Sequence, residues 1–250
     1  MGKRKGKIIF SILLLVSSLL LSQNLTNRMR VPIHFKFQSG IGYDSNFLKL
    51  SDEEQSEIDY YPALLGDSES FSSKIQKNSA EVRYSPYLIG GHETRFRFKV
   101  NYNNYFESSK KSFSSYAIYF AQHLGKYEWV KLSYSFLPNY YLRDYRDRDD
   151  LIINELPDNY LTACYFSQGS TTIKYSKWLN IKRTWIEGIL NFKTQYYNPE
   201  FKEFDLNLYS VGMQIHSSFI KNYILKLSGT KTFAENISNK DGFYSTLEND

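Results

Sequence analysis

Residues 94–106, TRFRFKVNYNNYF, alternate without a break. Thr94, Phe96, Phe98, Val100, Tyr102, Asn104 and Phe106 fall on one side, and Arg95, Arg97, Lys99, Asn101 and Asn103 on the other. Side chains of a strand point to opposite faces in turn, so this pattern predicts a strand that is oily on one face and basic or amide-bearing on the other. At helical spacing the same residues would scatter around the axis. The same period of two recurs along the chain. It predicts strands over residues 31–43 (Val31, Ile33, Phe35, Phe37, Ile41, Tyr43), 80–89 (Val82, Tyr84, Pro86, Leu88), 116–124 (Tyr116, Ile118, Phe120, Leu124) and 130–136 (Val130, Leu132, Tyr134, Phe136). Further strands are predicted over 160–179, 186–195, 209–215 and 223–233, with a tenth beginning near Phe243. Segment 160–179 is the least regular, because Ser167, Gly169 and Thr171 interrupt its apolar side.

The connections alternate as well. Residues 44–75 form a long predicted loop with eight acids (Asp44, Asp52, Glu53, Glu54, Glu57, Asp59, Asp67, Glu69) against Lys49 and Lys74. Residues 143–158, which include RDYRDRDD, form a second, and 107–111 and 198–203 are shorter polar loops. Between them lie tight-turn signals at Gly90-Gly91-His92, Gly125-Lys126, 180–183 and Lys221-Asn222. Loops after odd strands are thus expected to be longer and polar, and those after even strands short. Outer-membrane barrels place short turns in the periplasm and longer loops outside, whereas Greek-key connections have no reason to keep this parity. The expected fold is all-β: an antiparallel up-and-down transmembrane β-barrel over residues 31–250, about ten strands long in this chain. A closed single-chain barrel calls for an even strand count, and the last residues, Ser-Thr-Leu-Glu-Asn-Asp, lack a terminal aromatic. The barrel is therefore expected to be incomplete at the C-terminus. A secreted β-sandwich that binds polysaccharide or protein is the alternative the alternation leaves open, with the apolar faces as its core. Pro86 and Pro138 cannot donate to a ladder, which places them at bulges or near a membrane boundary.

Residues 1–22, MGKRKGKIIFSILLLVSSLLLS, read as a secretory signal, with Lys3, Arg4, Lys5 and Lys7 before a short apolar run at 8–21. Residues 23–30 follow as a short polar segment. The chain carries 31 Lys+Arg against 26 Asp+Glu, and removing the four signal cations leaves 27 against 26. Its net charge of +5 is therefore no sign of a nucleic-acid partner. Cys164 is the only cysteine, which excludes an intrachain disulfide or a cysteine-rich zinc site. With 22 Tyr, 18 Phe and three Trp, the aromatics suit strands and membrane-interface girdles.

The junction Gly42-Tyr43-Asp44-Ser45-Asn46, after an N-terminal alternating strand, resembles the opening of the barrel in surface lipoprotein assembly modifiers and in porin-like outer-membrane barrels. The resemblance implies a barrel in the outer membrane of a Gram-negative-type bacterium. The assembly modifiers carry a helical-repeat region before the barrel, for which this chain has no room. A barrel for surface lipoprotein export therefore stays an alternative to a passive porin-like channel or a surface-structural barrel.

No phosphate-binding glycine loop, HExxH or GxSxG is present, and no serine is distinguished as a nucleophile, so no enzymatic activity and no cofactor are expected. His34, His123 and His216 fall on the polar faces, where wall polarity is expected rather than a metal site; His92 lies in a turn. The acidic loop has carboxylates that suit calcium but lacks EF-hand spacing, so a solvated charged loop is expected. The polar faces carry Lys36, Arg83, Arg95, Arg97, Lys99, Lys131, Lys174, Lys193 and Lys226, with Glu81 and Glu187 as the acids among them. In a barrel these residues line the lumen and make it basic. The expected partners are outer-membrane lipid and the barrel-assembly machinery, with no nucleic acid and no oligomeric state specified.

Overall fold

In the computed structural model, the described residues are 27–145, 161–181, 183–218 and 223–238. The signal segment, the turn at 221–222, most of the loop 143–158 and the tenth strand near Phe243 lie outside them. The described residues form one sheet of nine strands in the order of the chain, each antiparallel to the next. The strands are β1 (Ile33–Asp44), β2 (Ser73–Tyr84), β3 (Thr94–Tyr105), β4 (Phe113–Gly125), β5 (Glu128–Tyr145), β6 (Thr162–Trp178), β7 (Thr184–Tyr197), β8 (Leu206–Ser217) and β9 (Leu225–Asn236). This is the up-and-down, all-β arrangement the alternation predicts. β1 and β9 pair on one side only, so among the described residues the sheet is not closed.

The registers turn alternation along each strand into rows across the sheet. Val82, Phe98, Ile118 and Tyr134 are successive partners from β2 to β5. Leu132, Ile173, Leu190 and Val211 continue the same face from β5 to β8. Most large side chains on this face are exposed: Phe35, Phe98, Ile118, Leu132, Ile173, Leu190, Val211 and Leu227 are all at least 44% accessible. No second sheet covers it among the described residues. Gly169 lies in this face at a close approach: a Cβ there would lie 3.3 Å from Thr194 Oγ1 and 3.4 Å from the Tyr134 hydroxyl.

Several boundaries differ from the sequence expectation. β2 begins at Ser73 rather than near residue 80, because the amide-rich SKIQKNS pairs with β1 along its whole length and with β3 from Ile75 onward, although it shows no apolar alternation. It ends at Tyr84, where Pro86 follows. Gly90-Gly91-His92 is not a tight hairpin: Gly90 and Gly91 have positive φ in a 3-10 turn at Ile89–Gly91, within a nine-residue connection 85–93. That connection is longer than the one at 106–112, so the parity of loop lengths holds only in part. Residues 27–30 pack against it, with the Tyr84 hydroxyl donating to the Met29 carbonyl at 2.9 Å and the Tyr87 N–H to Arg28 at 3.1 Å. β5 runs to Tyr145, so Arg143 belongs to a strand and not to the following loop. Pro138 lies between Leu137 and Tyr140, where the β5–β6 register shifts, and a bulge is where a residue without an N–H can sit in an interior strand.

The largest correction concerns residues 44–75, expected as a solvated charged loop. Phe47, Leu48, Leu50 and Leu65 are at most 8% accessible and form one apolar cluster with Ile75, Tyr105 and Tyr141. Ile75 and Tyr105 are direct partners on β2 and β3, on the same face as Glu81 and Lys99. The loop therefore folds onto the polar face of the sheet, at the end where the long connections lie. Asn46 fixes the first turn, its side chain donating to the Leu50 carbonyl at 2.7 Å and accepting from the Leu50 N–H at 2.9 Å. Phe47 N–H then bonds the Phe71 carbonyl at 2.9 Å, which closes the loop on itself. Ser51 and Glu54 form a capping box that starts a short helix, α1 (Asp52–Ser56).

Candidate functional site: the polar face

The face opposite the apolar rows gathers the basic residues singled out from sequence. Lys36, Glu81 and Lys99 are successive partners on β1, β2 and β3; His34, Arg83 and Arg97 form the next row. The rows continue through Ala117, Ser135, Ser170 and Lys193, and through Tyr119, Ser133, Thr172 and Asn191. Arg95 and Lys131 both pair with Ala121, Lys131 with Lys174, and His216 with Lys226. Every one of the expected positions thus lies on one face of one sheet. The polar partners bond across strands: Asn101 donates to Ser115 at 3.1 Å, and Asn191 to Ser170 at 3.0 Å and Thr172 at 2.7 Å.

Charge is not spread evenly over this face. The Glu187 carboxylate, nearly buried, takes Lys131 at 2.6 Å and Lys174 at 3.7 Å, which offsets part of the positive charge on the β5–β7 part of the wall. Glu81 pairs with Arg83 on its own strand. Arg95 is held by Glu93 through two bonds of 2.8 Å, and its guanidinium lies 4.4 Å over the Trp129 ring. Glu93 was missing from the sequence reading because it precedes the first strand residue. Its place two positions before Arg95, the same-face spacing, is the signal that would have found it. Among the described residues Lys36, Arg97, Lys99 and Lys193 have no carboxylate within 4 Å. Arg97 and Lys99 line a hollow of about 290 Å³ with Glu81, Tyr119, Ser133 and Ser135, and Arg97 stacks 4.7 Å from the Tyr119 ring. A neighbouring hollow of about 420 Å³ is lined by Lys77, Gln38, Asn101, Asn103 and Ser115. Among the described residues the unpaired positive charge is therefore densest on β1–β3, beside an amide-rich wall, with Lys193 on β7 and Lys226 on β9 adding to it.

All three tryptophans lie at the opposite end from the folded loop, near the short turns. Trp185 is sandwiched between Tyr127 at 5.0 Å and His216 at 4.8 Å, both nearly parallel to it, and Trp129 stacks on His123 at 4.6 Å. His34, His123 and His216 stand on β1, β4 and β8 and do not converge. No group of three metal-ligating side chains occurs among the described residues.

Lys111, in the connection 106–112, carries no sequence signal, yet it is 1% accessible. Its ammonium donates to the Leu142 carbonyl at 2.7 Å and faces the Tyr140 ring at 4.7 Å. Burial, with the nearby positive charge of Lys49, lowers its pKa to about 8. The amine then loses its proton in the folded chain while it stays charged in the unfolded one, so stability should rise with pH between about 8 and 10.5 and level off above. Denaturant midpoints measured from pH 7 to 10 should climb for the native chain and stay flat for Lys111→Met over this window. Cys164, also buried, lies on β6 opposite Arg143 of β5. Comparison with protein-family models, with curated proteins and with solved structures finds no match for this chain.

Proposed function

We propose that this chain forms the wall of an outer-membrane β-barrel whose polar face lines a water-filled, basic lumen, and that it acts as a passive porin-like channel preferring anions. One observation carries the proposal: an exposed apolar face crosses all nine strands, backed by a continuous polar face, with no second layer on the apolar side among the described residues. In water such a face is a liability, whereas against lipid tails it is the required surface. A sandwich would bury that face under a second sheet and would break the sequential strand order. On this basis the barrel sits in the outer membrane of a Gram-negative-type bacterium, contacts lipid and depends on the barrel-assembly machinery. The lipoprotein-export alternative has no support beyond the five-residue likeness.

Anion preference follows from Lys36, Arg97, Lys99 and Lys193, since fixed charge along a narrow aqueous path favours ions of the opposite sign. Reversal potentials in planar bilayers under a salt gradient test it. The native chain should favour chloride over potassium, and Arg97→Gln with Lys99→Gln should weaken that preference. Glu187→Gln should strengthen it, because Lys131 and Lys174 then lose their counter-charge. Cation preference in the native chain, unchanged in the double variant, would refute the assignment.

A further inference from the structure

We propose that residues 45–72 are an acidic lid over the loop-side mouth of the basic wall, and that the opposed charges of lid and wall make ion flow directional. The inference rests on the channel reading above and adds a separate claim about polarity.

The lid is held in place by contacts of three kinds. Phe47, Leu48, Leu50 and Leu65 pack on Ile75, Tyr105 and Tyr141. Glu54 accepts from Arg143 at 2.7 Å while its carboxylate also caps α1 through the Ser51 N–H at 2.7 Å. Asp67 accepts from Ser108 at 2.9 Å, which ties the lid to the connection between β3 and β4. Gly66, at φ 64°, brings the backbone so close to β5 that a Cβ there would lie 2.8 Å from Asp144 Oδ2. The acids not used as anchors point to solvent: Asp52, Glu53, Glu57, Asp59 and Glu69 are exposed. Lys49 is the one cation within 45–72.

A pore that is negative at one mouth and positive along its wall conducts unequally in the two directions. When the field drives anions in from the turn side and cations in through the lid, both carriers collect where the two charged zones meet, and conductance rises. The opposite field draws both away from that junction and depletes it. The effect needs the charged zones to reach across the pore, so it fades as salt shortens the screening length.

Single-channel recording in potassium chloride is the test. The native chain should pass unequal currents at equal and opposite voltages, by roughly two-fold or more at 0.01 M salt, where the Debye length is ~30 Å, and nearly equal currents at 1 M. Asp52→Asn, Glu53→Gln, Glu57→Gln and Asp59→Asn together should remove the inequality while conductance persists, since none of the four side chains packs in the apolar cluster. Symmetric native currents, or an inequality that survives the four neutralisations, would overturn the lid but leave the channel standing. A silent native chain that conducts once Arg143→Gln releases the latch would overturn directional flow, because the lid would then shut the native pore. Silence in the native chain, the neutralised variant and Arg143→Gln alike overturns the channel reading itself, and the lid with it.

Discussion

Lysine in place of Phe98 or Leu132 should abolish assembly of the protein in outer membranes, whereas lysine in place of Asn101 or Ser133 should leave it intact. Phe98 and Leu132 lie in the middle of the apolar rows, with Val82 and Ile118 beside the first and Phe120 and Ile173 beside the second. If that face meets hydrocarbon, a charge near the midplane costs about 2–4 kcal/mol, a large part of the stability of a chain this size. Asn101 and Ser133 lie on the opposite face, Asn101 in the row next to that of Lys99 and Ser133 in the row of Arg97 and Tyr119, where a lysine joins a wall already rich in cations. Heat-modifiable migration on gels reads the outcome, since a folded barrel runs apart from its boiled form. Equal behaviour of the two pairs would mean that the faces are not lipid and water.

The second large effect is expected at the loop. Phe47→Ala removes a ring that is fully buried and lies 5.6 Å from Tyr105. Truncating a buried Phe to Ala costs about 3–5 kcal/mol when the site cannot collapse. Here that loss should fall on the loop and spare the strands, because the sheet is held by its own ladders and the cluster pins the loop to it. Residues 45–72 should then become open to protease, while the nine strands keep their β-sheet signal in circular dichroism. Global loss of β structure would show that the cluster supports the whole sheet.

The two faces were legible in the sequence because a period of two survives whatever the strand pairs with. Once Phe96, Phe98 and Val100 are set on one side, Arg95, Arg97 and Lys99 must share the other. Strand ends were less legible for the same reason: SKIQKNS at the start of β2 has polar residues on both sides, and only its two neighbours make it a strand. Arg143 read as loop because its run of charges continues past the end of β5. The folded loop could not be read at all. Phe47, Leu48, Leu50 and Leu65 are scattered among acids with no period, and what buries them is Ile75, Tyr105 and Tyr141, brought from three strands. Lys111 belongs to the same class, its burial set by Leu142 and Tyr140 rather than by its neighbours in the chain.

The sequential strand order also bears on how the chain reaches this state. Each ladder joins strands adjacent in sequence, so hairpins can zip one after another with short loop closures and little entropy lost at each step. The cluster that joins Phe47 to Tyr141 is different, because its partners are nearly a hundred residues apart. It cannot form until β5 has docked beside β4. During folding, the first four strands should therefore exist with residues 45–72 still open, and that segment should gain protection from hydrogen exchange only after β5 is in place.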